Sequence, residues 1–466
     1  MPFEIAHLDR MQPSARQSAA TVAATAARLL EALEARQPEL ARYNAYYEGD
    51  HRLTFATAKF REAFGAQLEE LADNWCELVV DAVEERLDVE GFRTGDSIEG
   101  DSDAWDVWQR NGMDALSQIL HTETLIQKIA YVMVGPDGTE SSARVTVESP
   151  IETIVAWDRS DHRKRLAALK RWTDSLDGAD RATLWLPDGV WRFQGETVER
   201  ENGEPHLEWT LIGNEVDKPA IAGVVPFVPF RNKPRLRSEG KSEIAGVIPV
   251  QDAINKMVCD LLVTSEFHAA PQRWATGLEL PTDPTSGQPI DPYKDPHLKR
   301  FFYVEEPNAQ MGQFDGADLS QFVKVVEMLV QHIASQTRTP PHYFVVGGEP
   351  PSGESIKSAE TGLVAKARRK MRHLGESHED VMRLVGKIAG IAQLEDPAME
   401  TIWADPESRT EGEHVDATLK KQALGVPQDQ LWEDIGYTPQ QRARFRTMNA
   451  ADRLLAPPPP DVPLVP

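Results

Sequence analysis

The hydrophobic positions along the chain follow three successive patterns. Near the N-terminus, apolar residues recur three and four positions apart, which predicts helices over 14–48, over 67–87 and from Trp105 to His121. Between 129 and 230 short alternating segments are separated by the turn signals PDG, SDHRK and ENGEP, which predicts an antiparallel sheet of hairpins. Helical spacing returns after this region. The pattern as a whole indicates an α+β fold.

The second half of the chain is predicted to form helices interrupted by two breaks. Pro249 suits a first helical position, and four prolines with three glycines exclude a helix over 338–355. The expected elements are a helix over 249–268, a turn-rich insertion at 272–310, a helix over 318–337, a long helix over 354–392, a short strand in ETIWAD, two or three helices to about 455, and an extended tail, PPPPDVPLVP.

Composition narrows the class of protein. With 466 residues the chain is expected to hold two to four structural units. Its formal net charge of −24 excludes a positive field over the whole chain that would hold nucleic acid. Cys76 and Cys259 give no disulfide framework, and neither a signal peptide nor an apolar run of about 18 residues is visible. We therefore expect a cytoplasmic protein with no membrane segment.

The stretch SEGKS, at 238–242, resembles a phosphate-binding loop in its place between a strand and a helix. That loop needs a further glycine five residues before Gly240, and Arg235 stands there. Pro234 and Pro249 also remove backbone N–H donors from a motif that depends on them. We therefore favour a hinge, in which Gly240 and Gly246 allow the chain to turn. A nucleotide-binding enzyme that uses GKS is kept as the alternative.

Other candidate sites are weaker still. Their residues are His373, Glu376, His378 and Asp380 for a metal, and Asp96, Asp101 and Asp103 for calcium. His373 and His378 lie about 140° apart on a helix, which favours a solvated helical face, and the aspartates lack the glycine of a calcium loop. We therefore expect no enzyme activity, no cofactor and no metal.

A basic cluster stands out in this acidic chain. The segment KARRKMR contains Lys366, Arg368, Arg369, Lys370 and Arg372 within seven residues. It could contact a phosphate backbone or a neighbouring subunit, or it could be a solvated helix face with local ion pairs.

Several segments, in this order, resemble the portal proteins of tailed bacteriophages with long non-contractile tails. They are YNAYYEGDHRL, LADNWCELVVDAVEERLDVEGF, VPFVPFRNKPRLRSEGKSEIAGVIPVQDAINKMVCDLLVTSEFHAAPQRW, SQTRTPP with PPSGESIKSAETGLVAKARRKM, and IWADPESRTEGEHVDATLKKQALGVPQDQLWEDIGYTPQQ. Together they span most of residues 40–445.

The resemblance implies a portal fold with a mixed α/β wing and a ring, usually of twelve subunits, at one capsid vertex. Such a ring would pass double-stranded DNA during packaging and ejection, dock the terminase large subunit and a head–tail connector or adaptor protein, contact the major capsid and scaffolding proteins, and nucleate procapsid assembly. The protein would belong to the virion and, during assembly, to the host cytoplasm. Another head–tail adaptor ring is the remaining alternative, although adaptors are usually shorter.

The resemblance also implies a division of the chain. The regions are a wing at 1–240, a first stem helix at 241–271, a small clip at 272–310, a second stem helix at 311–337, a tunnel loop at 338–355, a long kinked helix with a return to the wing at 356–410, a crown-like helical region at 411–455, and a disordered tail at 456–466.

Individual residues follow from that division. Arg338, His342, Tyr343 and Lys357 would lie in or beside the tunnel loop near DNA, or would pack against neighbouring subunits instead. Asp252, Asn255 and Lys256 form the polar face of the first stem helix and would line the channel.

Overall fold

The fold is described from a computed structural model. It describes residues 19–50, 73–95, 100–138, 142–158, 160–161, 163–199, 205–212, 217–269, 273–276, 285, 287, 310–313, 318–344, 353–407 and 411–455. The chain divides into two compact units, and the second is inserted into the first. Unit 1 comprises Met1–His51, Asn74–Pro249 and Ile333–Pro466, and unit 2 comprises Arg52–Asp73 and Val250–His332. The calcium candidate Asp96 and the whole Pro-rich tail lie outside the described residues.

The described helices are α1 (Ala19–Tyr47), α2 (Cys76–Glu84), α3 (Ser102–Arg110), α4 (Met113–Gln127), α5 (Ile248–Ala269), α6 (Ser320–Thr337), α7 (Gly353–Ala389), α8 (Glu411–Ala423), α9 (Gln428–Ile435) and α10 (Pro439–Leu455). The strands are β1 (Val89–Arg93), β2 (Ile129–Pro136), β3 (Ala143–Glu148), β4 (Thr153–Trp157), β5 (Arg165–Thr173), β6 (Asp180–Leu186), β7 (Gly189–Glu199), β8 (Pro205–Leu211), β9 (Phe227–Arg231), β10 (Arg273–Thr276), β11 (Gln310–Gln313) and β12 (Glu400–Trp403). Among the described residues, no helix combines the length and hydropathy needed to span a membrane.

The β-rich region of unit 1 forms two antiparallel sheets. Strands β4 to β8 form a five-stranded sheet in sequence order, as a chain of hairpins predicts. Strand β9, however, pairs with β2 in a separate three-stranded sheet of order β3-β2-β9. The prediction of a single sheet is therefore wrong, because the last strand returns to the first strand of the region and not to its nearest neighbour in sequence.

Helix α1 supplies the second layer over the five-stranded sheet. Its apolar stripe, which includes Val22, Leu29 and Leu33, is buried against Leu169, Leu184 and other inward residues of the sheet. Of the five tryptophans in the β-rich region, Trp191 is buried, and Trp157, Trp185 and Trp209 pack at the edges of the two cores. Trp172 is half-buried.

One predicted helix is in fact two. The helix expected from Trp105 to His121 is broken between α3 and α4, because Gly112 adopts a left-handed conformation with φ of 63°. Glycine has no Cβ and takes this conformation without steric cost, which ends one helix and turns the chain into the next.

Strands β1 and β12 pair antiparallel although about 300 residues separate them in sequence. Helix α7 packs on this pair, on β2 and on β9, so it runs through the middle of unit 1. In unit 2, β10 and β11 pair antiparallel, so the ends of the turn-rich insertion meet. The long helix after the second break begins at Gly353, within the segment that was predicted to be non-helical.

Candidate functional site

A buried carboxylate organises the place where the chain leaves unit 1. Glu243 lies six residues before that exit at Pro249, and its side chain is fully shielded from solvent. Lys366 Nζ lies 2.8 Å and Lys233 Nζ 2.9 Å from Glu243 Oε2. Lys370 Nζ donates to the other carboxylate oxygen. We call these four residues the lysine–glutamate cluster.

Charge balance explains the state of the cluster. Burial alone would raise the pKa of Glu243, but Lys370, Lys366 and Lys233 together hold the pKa of that carboxyl well below its usual range. Burial lowers the pKa of Lys370 to about 8, although Glu243 pulls it upward. Three lysine ammonium groups surround the one carboxylate, so the lysines depend on Glu243 for their counter-charge. Removing it would leave buried ammonium groups without a counter-charge.

The cluster lies close to two of the four points at which the chain crosses between the units. Lys366, on α7, also donates to the carbonyl oxygen of Thr337 at 2.9 Å, and so caps the C-terminal end of α6 just after the chain returns to unit 1. Lys370 donates to the side-chain oxygen of Asn232, whose amide donates to the carbonyl oxygen of Lys241 at 2.7 Å. One polar network therefore connects three segments: the loop that precedes Pro249, the C-terminal end of α6, and α7.

The GKS stretch belongs to this network and has no phosphate-binding geometry. Ser242 is completely buried, whereas Lys241 is exposed. Residues 241–247 form bends and turns, and the helix begins only at Ile248, so no helix N-terminus points at the loop. Gly246 lies in the turn before α5, but neither Gly240 nor Gly246 has a positive φ, so the backbone conformation at these positions does not itself require glycine.

Gly240 is required for close packing. A Cβ at this position would press against the carbonyl oxygen of Lys128 and lie 2.8 Å from the carbonyl oxygen of Asn232. Both obstacles are backbone atoms, which cannot rotate away as the end of a side chain can.

Replacing Gly240 with alanine is therefore expected to lower the free energy of unfolding by about 1–3 kcal/mol, because the backbone must shift to admit a methyl group. Gly246→Ala is the matched control, since the nearest atom to its added Cβ lies 3.8 Å away. The control should be neutral or stabilising by about 0.4–1 kcal/mol. Urea unfolding of the two variants measures both effects, and equal midpoints would refute the packing role of Gly240.

The predicted basic patch divides into two groups. Lys366 and Lys370 are buried in the lysine–glutamate cluster, so their assignment to a contact patch or a solvated face is wrong. Arg368, Arg369 and Arg372 are exposed, and Arg368 forms ion pairs with Asp405 and Glu407. Lysines 366 and 370 share the helix face of Leu363 and Leu374, which is the buried face of α7. Whether the three arginines contact DNA stays a prediction.

The predicted tunnel-loop residues are placed as follows. Arg338 is exposed directly after α6, with a left-handed φ of 58°. Tyr343 accepts a hydrogen bond of 2.9 Å from Arg86, and His342 lies 3.8 Å from Glu360. Lys357 is exposed on the first turns of α7, and residues 345–352 lie outside the described residues. His342 and Tyr343 thus pack against an internal ion pair, and their proximity to DNA stays a prediction.

The predicted polar face of α5 is only partly exposed. Asn255 is buried, and its side-chain oxygen accepts a hydrogen bond of 3.1 Å from Gln251. The prediction that Asn255 lies on a solvent-facing surface is therefore wrong. Asp252 and Lys256 are half-buried, and Lys256 forms an ion pair with Asp260 one turn along the helix.

His378 contradicts the expectation of a solvated helical face. It is buried, and its Nε2 lies 3.0 Å from Nε2 of His121, whose Nδ1 lies 3.2 Å from the carbonyl oxygen of Leu87. Aromatic rings, including those of Phe230 and Trp403, surround the pair. His373 is exposed, and the described residues contain no group of three or more potential metal ligands. The four residues considered for a metal are therefore not brought together.

Sequence reasoning missed Glu243, Asn232 and Thr337. The available signal was the helical phase of the KARRKMR segment, because Lys366 and Lys370 recur with the apolar residues of α7 and not with its polar ones. Two buried lysines require a carboxylate, but the sequence does not indicate which of many acidic residues supplies it.

Comparison with known proteins identifies the class. The family model described as "Phage portal protein, SPP1 Gp6-like" matches residues 26–442. Two curated relatives named "Portal protein", from Mycobacterium phage D29 and Mycobacterium phage L5, are each 28% identical over 445 residues, covering 90% of this chain and 86% of theirs.

Two solved structures are also similar. "Neck of native GTA particle computed with C12 symmetry" has a TM-score of 0.42 and 12% identity, covering 77% of this chain and 88% of that one. "Neck of empty GTA particle computed with C6 symmetry" has a TM-score of 0.41 and 12% identity, covering 75% and 85%.

The family match covers most of the chain and shows that the protein is a portal protein, which is a structural component of the phage virion. Within that class the chain belongs to the SPP1 Gp6-like family of phage portal proteins. The resemblance noted in the sequence is thereby confirmed.

Proposed function

We propose that this portal protein assembles into a closed ring of twelve copies at one vertex of the capsid, and that double-stranded DNA passes through the ring during packaging and ejection. The observation that carries the proposal is the family match over residues 26–442. The acidic composition supports it, since a uniformly positive wall would retain DNA through the release of counterions.

The two compact units support a division of labour. The Val250–His332 segment of unit 2 holds most of α5, most of α6 and the β10–β11 pair, which suits a stem with a small clip. Unit 1 holds both sheets and the remaining helices, which suits a wing with a crown. In this arrangement the clip would dock the terminase large subunit. Other surfaces would meet the head–tail connector, the major capsid protein and the scaffolding protein.

We further propose that the chain performs no catalysis and that a separate motor supplies the energy for DNA movement. The buried Ser242, and a helix that begins only six residues later at Ile248, argue against the alternative of a nucleotide-binding enzyme. A portal whose loop merely joins two units needs no bound nucleotide.

Purified wild-type protein is expected to form rings that mass photometry and negative-stain electron microscopy detect. Neither the wild type nor Lys241→Ala should hydrolyse ATP above background, because Lys241 has no phosphate to bind. A strictly monomeric species under all assembly conditions would refute the ring. ATP turnover that is lost in Lys241→Ala would establish the enzyme instead.

A further inference from the structure

The first half of α7 borders a basic groove. The groove has a volume of about 1040 Å³, and the residues of α7 that line it include Lys357, Thr361, Arg368, Arg369 and Arg372. No carboxylate is exposed on α7 between Ser355 and His373, because Glu360 is buried against Arg86. Arg369 and Arg372 are exposed and have no ion-pair partner among the described residues. Glu360 and Glu407 also line the groove, but they pair with Arg86 and Arg368. The described residues of unit 1 therefore leave the positive charges of Arg369 and Arg372 without a counter-charge.

The shape of the groove favours a protein over a nucleic acid as its occupant. Val364, Ala365 and Ala417 add apolar surface to the lining, and Ala417 belongs to α8, so a second helix borders the groove. A DNA duplex is a thick convex rod that needs a broad concave surface, whereas a groove with mixed apolar and basic lining fits an acidic protein surface.

The same chain carries a matching acidic surface at the end of α2. Asp81 and Glu84 lie in the last turn of α2, Glu85 is its C-terminal cap, and Asp88 lies four residues beyond the end of the helix; we call these four residues the acidic stripe. None of the four forms an ion pair within the part of the chain that the structure describes. Four like charges within eight residues repel one another, and a cationic partner would relieve that repulsion.

The protonation behaviour of Glu84 agrees with this reading. Burial, followed by the charges of Asp81, Glu85 and Asp88, raises the pKa of Glu84 to about 7. A cationic partner at the stripe would remove this repulsion.

We propose that Arg369 and Arg372 in the groove of one copy form ion pairs with the acidic stripe of the next copy around the ring. The proposal rests on the proposed function, since it identifies the surfaces through which neighbouring subunits meet. A heterologous contact of this kind uses two different surfaces of each copy, and it closes into a ring when the rotation per subunit allows.

Charge reversal tests the pairing. The groove variant is Arg369→Glu with Arg372→Glu, and the stripe variant is Glu85→Lys with Asp88→Lys; all four residues are exposed, so folding is preserved. Each variant alone is expected to need about tenfold more protein to form rings, because every interface then loses its charge complementarity. Arg28→Glu with Arg110→Glu, a reversal of two equally exposed arginines, is the matched control and should assemble like the wild type.

An equimolar mixture of the two variants gives the decisive result. In a ring of alternating subunits every interface joins opposite charges again, and a ring of twelve accommodates the alternation. The mixture is therefore expected to form rings at wild-type concentration in mass photometry, which a folding defect in either variant could not produce.

Three outcomes overturn the pairing. In the first, either variant alone assembles like the wild type. In the second, the groove variant assembles normally but its rings no longer retain DNA, which would make DNA the occupant. In the third, the mixture stays unassembled. A wild type that never forms rings would instead refute the proposed function, together with the pairing that rests on it.

Discussion

Replacing Glu243 with glutamine is expected to lower the free energy of unfolding by about 3–5 kcal/mol. Glutamine keeps the shape of the side chain and one acceptor oxygen but removes the charge. Lys366 and Lys370 would then remain buried as cations with no counter-charge, because Glu243 is the carboxylate that both of them contact. Urea unfolding followed by circular dichroism measures the loss.

The matched control is Glu239→Gln, four residues earlier in the same loop. Glu239 is exposed, so its variant should unfold within about 0.5 kcal/mol of the wild type. Adding Lys370→Met to Glu243→Gln should recover part of the loss, because the second change removes one of the stranded cations. If Glu243→Gln unfolds at the same urea concentration as Glu239→Gln, the cluster does not stabilise unit 1.

Acidification from pH 6.5 to pH 4 is expected to destabilise unit 1 through its buried histidine pair. Burial lowers the pKa of His121 from 6.5 to about 4, and it lowers the pKa of His378 well below its usual value. Between the unfolded and folded pKa values the unfolded chain binds more protons, so the stability that is complete above about pH 6.5 falls as the pH drops towards 4. His121 alone accounts for roughly 3 kcal/mol of this change.

Carboxylates also titrate over part of this range, so the comparison with variants identifies the histidines. The double variant His121→Gln with His378→Gln should be less stable at pH 7.5 but should lose less stability on acidification than the wild type. His332→Gln, at an exposed histidine in α6, is the control and should follow the wild-type pH dependence. Parallel pH profiles for the double variant and the wild type would contradict the assignment.

Periodicity predicted much of the fold because it reports which face of an element is buried. The helical stripe of α1 and the chain of hairpins from β4 to β8 are local patterns, and the structure confirms them. The separate sheet that β9 forms with β2 depends on a contact between distant segments, which no local pattern encodes. The break at Gly112 was readable in principle, since one glycine there interrupts the stripe.

The candidate site was less predictable, because residue type was taken as a guide to exposure. KARRKMR was treated as one basic surface, yet the phase of the helix assigns its lysines to the core and its arginines to solvent. His378 was assigned to a solvated face for the same reason. In both cases the apolar neighbours one turn away, such as Leu374 and Val381, were the better guide.

The pairing of β1 with β12 has a consequence for the order of events during synthesis. Unit 1 is complete only when residues 400–403 have joined a strand formed by residues 89–93, and His121 likewise waits for His378. Contacts of such long sequence separation form late, because a large loop must close first. The nascent chain therefore cannot finish unit 1 until nearly nine-tenths of it has left the ribosome, which delays any encounter between finished neighbours until translation is almost over.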